Sequence, residues 1–465
     1  MSLKTKPVLS RLIGCKPEAR FILEATARDS SLGRDEDQNI RSKLLAKQLR
    51  MVEGTVTAAL GELVTAGLVE RIESTTSGKG RPRVSYQIAP QPLVLIADQQ
   101  STLPVHSEHL QRLFSRADIP TEILSSEPKP RKERAVVNKN GTPAPPGARG
   151  RLSLCNRLLL GALLANADQF GVVAGLSNLK LRQLTGLDSE SLSHRLKRLR
   201  EVGFIRSYVP GVTSSVFRTK KISSTYFLNL NHPGYGLNAV GAVLVHRHSF
   251  HEIQNDVCNE LWRDVCKFRG LYPPRSPLKT PKPVLEFLRH VTRPAFNVLR
   301  LMLYRHVCEL LSRHGYDLLR GSAENYEWLR DRIDADLQPP AGHEDGDGQA
   351  KGKRGDVGAD PEIPWQPIIS YFCELVVDIA KMYRVRFGAT KWTGFDQVQF
   401  CILPVLECED DEVITLLLQP RPQKASIYTV FHGYPGPGVK RQKWEAETDV
   451  PLEDRFYFGL LTRPA

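Results

Sequence analysis

Long apolar runs are missing from this 465-residue sequence. No stretch approaches eighteen consecutive apolar residues, about the length a membrane-spanning helix requires, so none is expected. Cysteine is sparse and unpatterned. Eight cysteines scattered from Cys15 to Cys408 include no C-x-x-C pair, so neither a disulfide framework nor a structural zinc site is expected. A reducing cytoplasm is the expected compartment. Met1 to Cys15 carries cations without a continuous apolar segment and reads as a poor signal peptide. The sequence also lacks a P-loop, a dinucleotide fingerprint, a G-x-S-x-G elbow and any pairing of carboxylates suited to acid–base work. No enzymatic activity, catalytic residue or cofactor is therefore expected.

What remains is ordinary globular material. Hydrophobic residues make up 41% and charged residues 25%, and the length suits about three domains. The charge is unevenly placed. Residues 1–232 hold 35 Lys and Arg against 20 Asp and Glu, a net +15, whereas 233–465 hold 29 against 31, a net −2. A basic half of this kind calls for a polyanionic partner, most commonly nucleic acid.

Two stretches read as linkers. Residues 125–150 (SSEPKPRKERAVVNKNGTPAPPGARG) are rich in Pro, Gly and cations, and 338–362 are almost free of large apolar residues. The expected divisions are a first domain over 1–92, an extension and basic linker over 93–150, and a second domain over 151–232. A helical region over 233–337, a linker over 338–362 and a C-terminal helix plus antiparallel sheet over 363–465 follow. The expected class is α+β.

In the first domain, PEARFILEATAR (17–28) has an apolar stripe at helical spacing and an early Pro. Ser42 is placed to cap SKLLAKQL, with Leu44, Leu45 and Leu49 on one face. After a tight turn at Arg50–Glu53, a second helix carries Val56, Leu60 and Leu63 and ends at Gly67, where positive φ is wanted. LVERI and VSYQI alternate as strands around the basic loop STTSGKGRPR. LLAKQLRMVEGTVTAALGELVTAGLVERI…GKGRPRVSYQI resembles winged-helix regulators of the MarR-like and related bacterial types. The resemblance implies that the helix after the turn enters the major groove, and that Lys79, Arg81 and Arg83 on the wing meet phosphates or the minor groove. That helix departs from the pattern. From Val52 to Ala66 it has no Lys or Arg, carries Glu53 and Glu62, and offers only Thr55 and Thr57 for modest contacts. Dimerisation is the competing role for this unit.

The pattern repeats from Arg151: an apolar helix in RLLLGALLANA, a short strand in GVVAGLS, and a helix in NLKLRQLTGL with Leu179, Leu181, Leu184 and Leu187 apolar. Asp188 or Ser189 is placed to cap SESLSHRLKRLREVG. At about 100° per residue, Leu192, Leu196 and Leu199 cluster while Glu190, His194 and Lys197 point away, with Ser191, Arg195 and Arg198 beside them. FIRSYV and TYFLNL read as strands flanking a loop with Arg218, Lys220 and Lys221. LRQLTGLDSESLSHRLKRLREVGFI resembles helix-turn-helix segments of bacterial, phage and plasmid DNA-binding proteins, including replication proteins. It implies double-stranded DNA as partner, with Ser189, Ser191, His194, Arg195, Lys197 and Arg198 reading or clamping the groove and Arg218, Lys220 and Lys221 on the wing. Joined by a flexible linker, two such readers would see each other's sites at up to about millimolar effective concentration.

The neutral C-terminal half reads as helices over 249–268, over 283–314 with a break at Pro294, and in PIISYFCELVVDIAKMYRV. VQFCILPVLE, DEVITLLLQP and SIYTVFH read as antiparallel strands. Its His246, His248, His251 and Glu252 invite a metal reading, but a solvated cluster is the stronger expectation, and no metal site is expected. Cys258, Cys266 and Cys308 sit in helical patterns as packing residues. This half is expected to mediate homo-oligomerisation or to bind a protein partner or ligand. The functional expectation is a sequence-specific, nucleoid-associated bacterial transcriptional regulator. A replication initiator or maintenance protein of a mobile element is the alternative, and a winged-helix protein-interaction scaffold the second.

Overall fold

A computed structural model describes residues 12, 14–29, 31–35, 39–74, 83–89, 105–115, 119, 152–236, 242–249, 257–273, 277–315, 317–319, 326–339, 364–388, 398–404, 411–419, 428–433 and 439–463. The class is α+β, helices with small, mostly antiparallel sheets. The basic loop 75–82, the linker 125–150, nearly all of 338–362, and His251, Glu252 and Cys408 lie outside the described residues.

The first unit opens with α1 (Pro17–Arg28), α2 (Ser42–Leu49) and α3 (Glu53–Thr65), then the antiparallel hairpin of β1 (Val69–Ser74) and β2 (Arg83–Ile88). Ile40 pairs with Tyr86 through both backbone hydrogen bonds, at 2.7 and 2.9 Å, adding a third extended segment beside β2. The expected cap differs: Arg41 is the N-cap of α2, and no side chain caps it. Leu45 and Leu49 are buried as expected, but Leu44 is 40% exposed. A helix of 8 residues has room for one narrow apolar stripe, and Leu44 falls outside it. After α4 (Ser107–Ser115), the second unit runs through α5 (Leu154–Leu164), β3 (Val172–Val173), α6 (Asn178–Thr185), α7 (Ser189–Glu201), β4 (Ile205–Val209) and β7 (Thr225–Leu228). The small hairpin of β5 (Val212–Thr213) and β6 (Lys221–Ile222) is inserted between β4 and β7. Its three-stranded sheet has the order β3-β7-β4.

The two units are copies of one plan. Both helix pairs have 8 and then 13 residues, and residues 42, 53 and 69 correspond to 178, 189 and 205 at a constant offset. The shared physics is visible at each landmark. The turn between paired helices needs a left-handed residue, Arg50 at φ 52° and Gly186 at φ 73°, and the second helix of each pair is followed by Gly67 or Gly203, also at positive φ. Val56 and Leu63 are buried in one copy, Leu192 and Leu199 in the other.

These copies are not tethered loosely. Residues from α1 to α7 and beyond share a single apolar core. Arg157 of α5 donates from Nε and Nη2 to the carbonyls of Leu113 and Phe114 at 2.8 and 3.1 Å, ending α4. Its guanidinium lies 4.7 Å from the Phe21 ring, which packs 5.2 Å from Phe114. The spacing of the two units is therefore set by packing, and the expectation of flexible tethering gives way to a fixed pair.

The remaining elements are β8 (Ala242–Ser249), α8 (Val257–Phe268), α9 (Lys282–Phe287), α10 (Arg293–His314), α11 (Glu327–Asp336), α12 (Trp365–Gly388), β9 (Gln399–Leu403), β10 (Asp411–Gln419), β11 (Tyr428–Gly433), β12 (Val439–Trp444) and α13 (Leu452–Tyr457). Thr292 caps α10, with Pro294 in its first turn, which places the expected break between α9 and α10. The five-stranded sheet has the order β12-β11-β8-β10-β9. All neighbours are antiparallel except β11 and β8, which are parallel. Strand β8 precedes the 338–362 boundary yet sits at the centre of a sheet whose other strands follow it. One apolar core runs across both sides, so that boundary does not separate two cores.

The C-terminal part also grips the second unit. Phe217 bridges to Leu337, Gln338 N donates to Val216 O at 2.8 Å, and Arg218 N donates to Asp336 O at 3.1 Å. Arg206 of β4 is buried against Glu447 at 2.8 Å. Among the described residues no helix is long and apolar enough to cross a membrane.

Candidate nucleic-acid interface

Helix α7 begins at a well-formed cap. Asp188 Oδ1 accepts from Ser191 N at 2.8 Å and Oδ2 from Ser191 Oγ at 2.9 Å. The Ser191 amide, then its hydroxyl, hold the Asp188 carboxyl below the usual carboxylate range. Ser191 is thus committed to the cap, and Ser189 lies exposed in the first turn.

Along α7 the charged residues divide into two groups. His194 and Lys197 are exposed, with no ion pair among the described residues. Arg198 is exposed and lies 3.3 Å from Glu201 one turn on, an arrangement that water weakens. Arg195, by contrast, is half-buried and turned inward. Its Nη1 donates to Ser153 Oγ at 3.1 Å and Asn156 Oδ1 at 3.3 Å, at the start of α5. Arg200 lies over the Tyr208 ring at 5.3 Å. The outward face of α7 therefore holds His194, Lys197 and Arg198 with Glu190 exposed in the first turn, while Arg195 braces the helix from behind.

Sequence reasoning missed α6 as a contributor. Lys180 and Arg182 are exposed there, again without an ion pair among the described residues, and Leu179 is 63% exposed beside them. Placing Leu179 among the apolar positions obscured this. The burial of Leu181 and Leu184 fixes one face, and Lys180 and Arg182 fall off it. Ser177 caps α6, accepting from Lys180 N at 3.2 Å.

The inserted hairpin is partly occupied. Arg218 Nη2 lies 3.3 Å from Asp334 Oδ2, so this residue fastens the hairpin to the C-terminal part. Lys220 and Lys221 stay exposed, with no ion pair among the described residues.

The first unit presents a different surface. Thr55 and Thr57 are exposed on α3, and Thr57 Oγ1 donates back to Glu53 O at 3.0 Å. Glu53, Gly54, Ala58, Gly61 and Thr65 are also exposed, so the face is built of small residues with one carboxylate and no cation. Glu62 accepts from Lys16 N at 2.9 Å and pairs with its Nζ at 3.6 Å. Lys43 and Lys47 are exposed on α2. Arg83, also exposed, faces Ser74 at the open end of the β1–β2 hairpin, and Lys79 and Arg81 lie outside the described residues. The structure thus gathers Ser189, His194, Lys197 and Arg198 on one helix and leaves Thr55, Thr57 and Arg83 on the other unit.

Among the described residues no group of three or more His, Cys, Asp and Glu is placed to hold a metal ion. His246 and His248 occupy β8, opposite Ile414 and Glu412 of β10. Comparisons of the chain with protein-family models, curated proteins and solved structures find no match.

Proposed function

We propose that the chain binds double-stranded DNA sequence-specifically through tandem winged helices, acting as a bacterial transcriptional regulator. One observation carries the reading: α7 is an N-capped helix whose outward face holds His194, Lys197 and Arg198, with Lys180 and Arg182 exposed on the helix before it. A helix of this kind can lie in a major groove, its cations meeting base edges and the flanking phosphates. Lys220 and Lys221 extend the same charge to a hairpin, the part that reaches the backbone in such domains. The cation-free α3 face, with Glu53 exposed on it, suits pairing with another surface better than groove reading, so the second unit is the principal reader. The C-terminal part then serves oligomerisation or a partner.

A replication initiator of a mobile element is the second reading. The observation favouring it is that the two unlike units share one core at fixed spacing, which suits one unit for pairing and one for DNA.

The test is selection of bound duplexes from a random pool by the full chain. Enrichment of a shared motif, lost with Lys197→Ala plus Arg198→Ala, supports the proposal. Recovery of a pool no different from the input would overturn it. Mapping the motif in the source cell separates the two readings: promoters mean a regulator, and an array of repeats beside a replication gene means an initiator.

A further inference from the structure

We propose that Asp334 of α11 is a built-in rival of the DNA phosphate for Arg218, an autoinhibitory contact that duplex binding displaces. This rests on the DNA reading above and names how that surface is restrained. The loop between β5 and β6 has a fixed base. Val216 and Phe217 are buried in the C-terminal core, and Phe217 pairs with Leu337. Gln338 N donates to Val216 O at 2.8 Å and Arg218 N to Asp336 O at 3.1 Å. The segment they meet is itself pinned, since Asp336 Oδ2 accepts from Arg305 Nη2 at 2.6 Å and lies 2.9 Å from His306 Nε2.

On that base the loop presents a cationic rim. Every residue from Arg218 to Lys221 is exposed. Lys220 and Lys221 have no ion pair among the described residues, whereas Arg218 Nη2 donates to Asp334 O at 3.2 Å and Oδ2 at 3.3 Å. The carboxylate is held for the purpose: its Oδ1 accepts from Trp365 Nε1 at 2.6 Å. Of the three rim cations, Arg218 is the one met by a fixed anion of the chain itself.

The contact is weak enough to yield. Both side chains are more than two-fifths exposed and meet through one nitrogen and one oxygen, and pairs of that kind in water contribute little. A phosphate offers the guanidinium two oxygens in the geometry its fork prefers. When it takes Arg218, the freed Asp334 carboxylate recovers its counterions as the phosphate loses one. Arg218 then adds almost nothing to the salt dependence of binding while Asp334 is present.

The test is Asp334→Asn in the full chain, titrated by anisotropy with the duplex that the wild type selects, across a salt series. The amide keeps an acceptor for Trp365, and the backbone carbonyl for Arg218 is untouched. An affinity gain of about threefold is expected, with a logarithmic salt dependence steeper by about 1. In an Arg218→Met background the same substitution should change neither. An equal gain there means a general effect of charge and overturns the proposal, as does unchanged or weaker binding by folded Asp334→Asn. Should Asp334→Asn fail to fold, Asp334→Ser is read in the same way. A wild type that selects no duplex overturns the DNA reading and this contact with it, whereas a wild type that binds beside indifferent variants overturns this proposal alone.

Discussion

Arg20 and Gly186, from the two different units, touch: a β-carbon on Gly186 would fall 2.7 Å from Arg20 Nε and 3.0 Å from the Cys15 carbonyl. Arg20 donates from Nε to Cys15 O at 3.0 Å, from Nη2 to Leu12 O at 2.6 Å and from Nη1 to Gln183 O. A buried guanidinium of the first unit therefore holds the turn that launches α7. Burial pulls the Arg20 pKa below its ordinary value, but its three carbonyl acceptors suit the charged form.

Gly186→Ala should act twice. At φ 73° a β-carbon is strained, and the same atom would displace Arg20. A loss of about 2 kcal/mol or more is expected in urea unfolding, from the left-handed backbone together with the disturbed contact. DNA affinity should fall with it, because α7 is mis-set relative to α6.

Lys197→Ala with Arg198→Ala should weaken duplex binding and make the logarithmic salt dependence shallower by about 2, if each side chain meets one phosphate. Thr55→Ala with Thr57→Ala, on the cation-free α3 face, should change the affinity by less than about twofold. Fluorescence anisotropy across a salt series measures both.

Acid should loosen the junction where α4 meets the second unit. Desolvation lowers the His109 pKa to about 4, and its Nε2 hydrogen bond to Leu230 O at 3.0 Å opposes the shift only in part. Near pH 7 the ring is neutral whether the chain is folded or unfolded. Below about 6.5 the unfolded chain takes up the proton and the folded chain does not, so stability falls until the pH reaches about 4 and then levels off. The loss is up to about 3 kcal/mol by linkage. Asp168, raised by burial, works in the opposite direction. Urea unfolding between pH 7.5 and 4.5 should show a shallower decline in His109→Gln, which keeps a donor for Leu230 but has nothing to titrate.

Arg206→Met or Glu447→Gln alone should each destabilise strongly, since the pair is closed at 2.8 Å with side chains 2% and 4% exposed. Breaking one partner of such a pair costs about 3–5 kcal/mol. A double-mutant cycle should show the two losses far from additive.

Local pattern went a long way in the two copied units. Val56, Leu60 and Leu63 repeat at helical spacing and are buried, as are Leu192 and Leu199, and Asp188 caps α7 as its side chain and position suggest. Long-range pairing was hidden. Ala242–Ser249 takes its partners from 411–419 and 428–433, and no local periodicity says which distant strands a short alternating segment will join. Within the site, the helical wheel separated Lys197 from the core but could not foresee that Ser153 and Asn156 draw Arg195 inward. Nor could it foresee that Asp334 claims Arg218. Both outcomes depend on residues that only the tertiary arrangement brings near.

The end of α10 has one more effect. Its Ser312 Oγ accepts from Phe400 N at 3.0 Å and its Cys308 Sγ from Ile402 N at 3.2 Å, so the outward amides of the edge strand β9 are met by helix side chains. A further strand arriving at that edge finds those donors already taken. The other edge, β12 (Val439–Trp444), carries the exposed Lys443. The sheet is thus stoppered at β9, and a second copy gains no free Phe400 or Ile402 amide by lengthening it from that side.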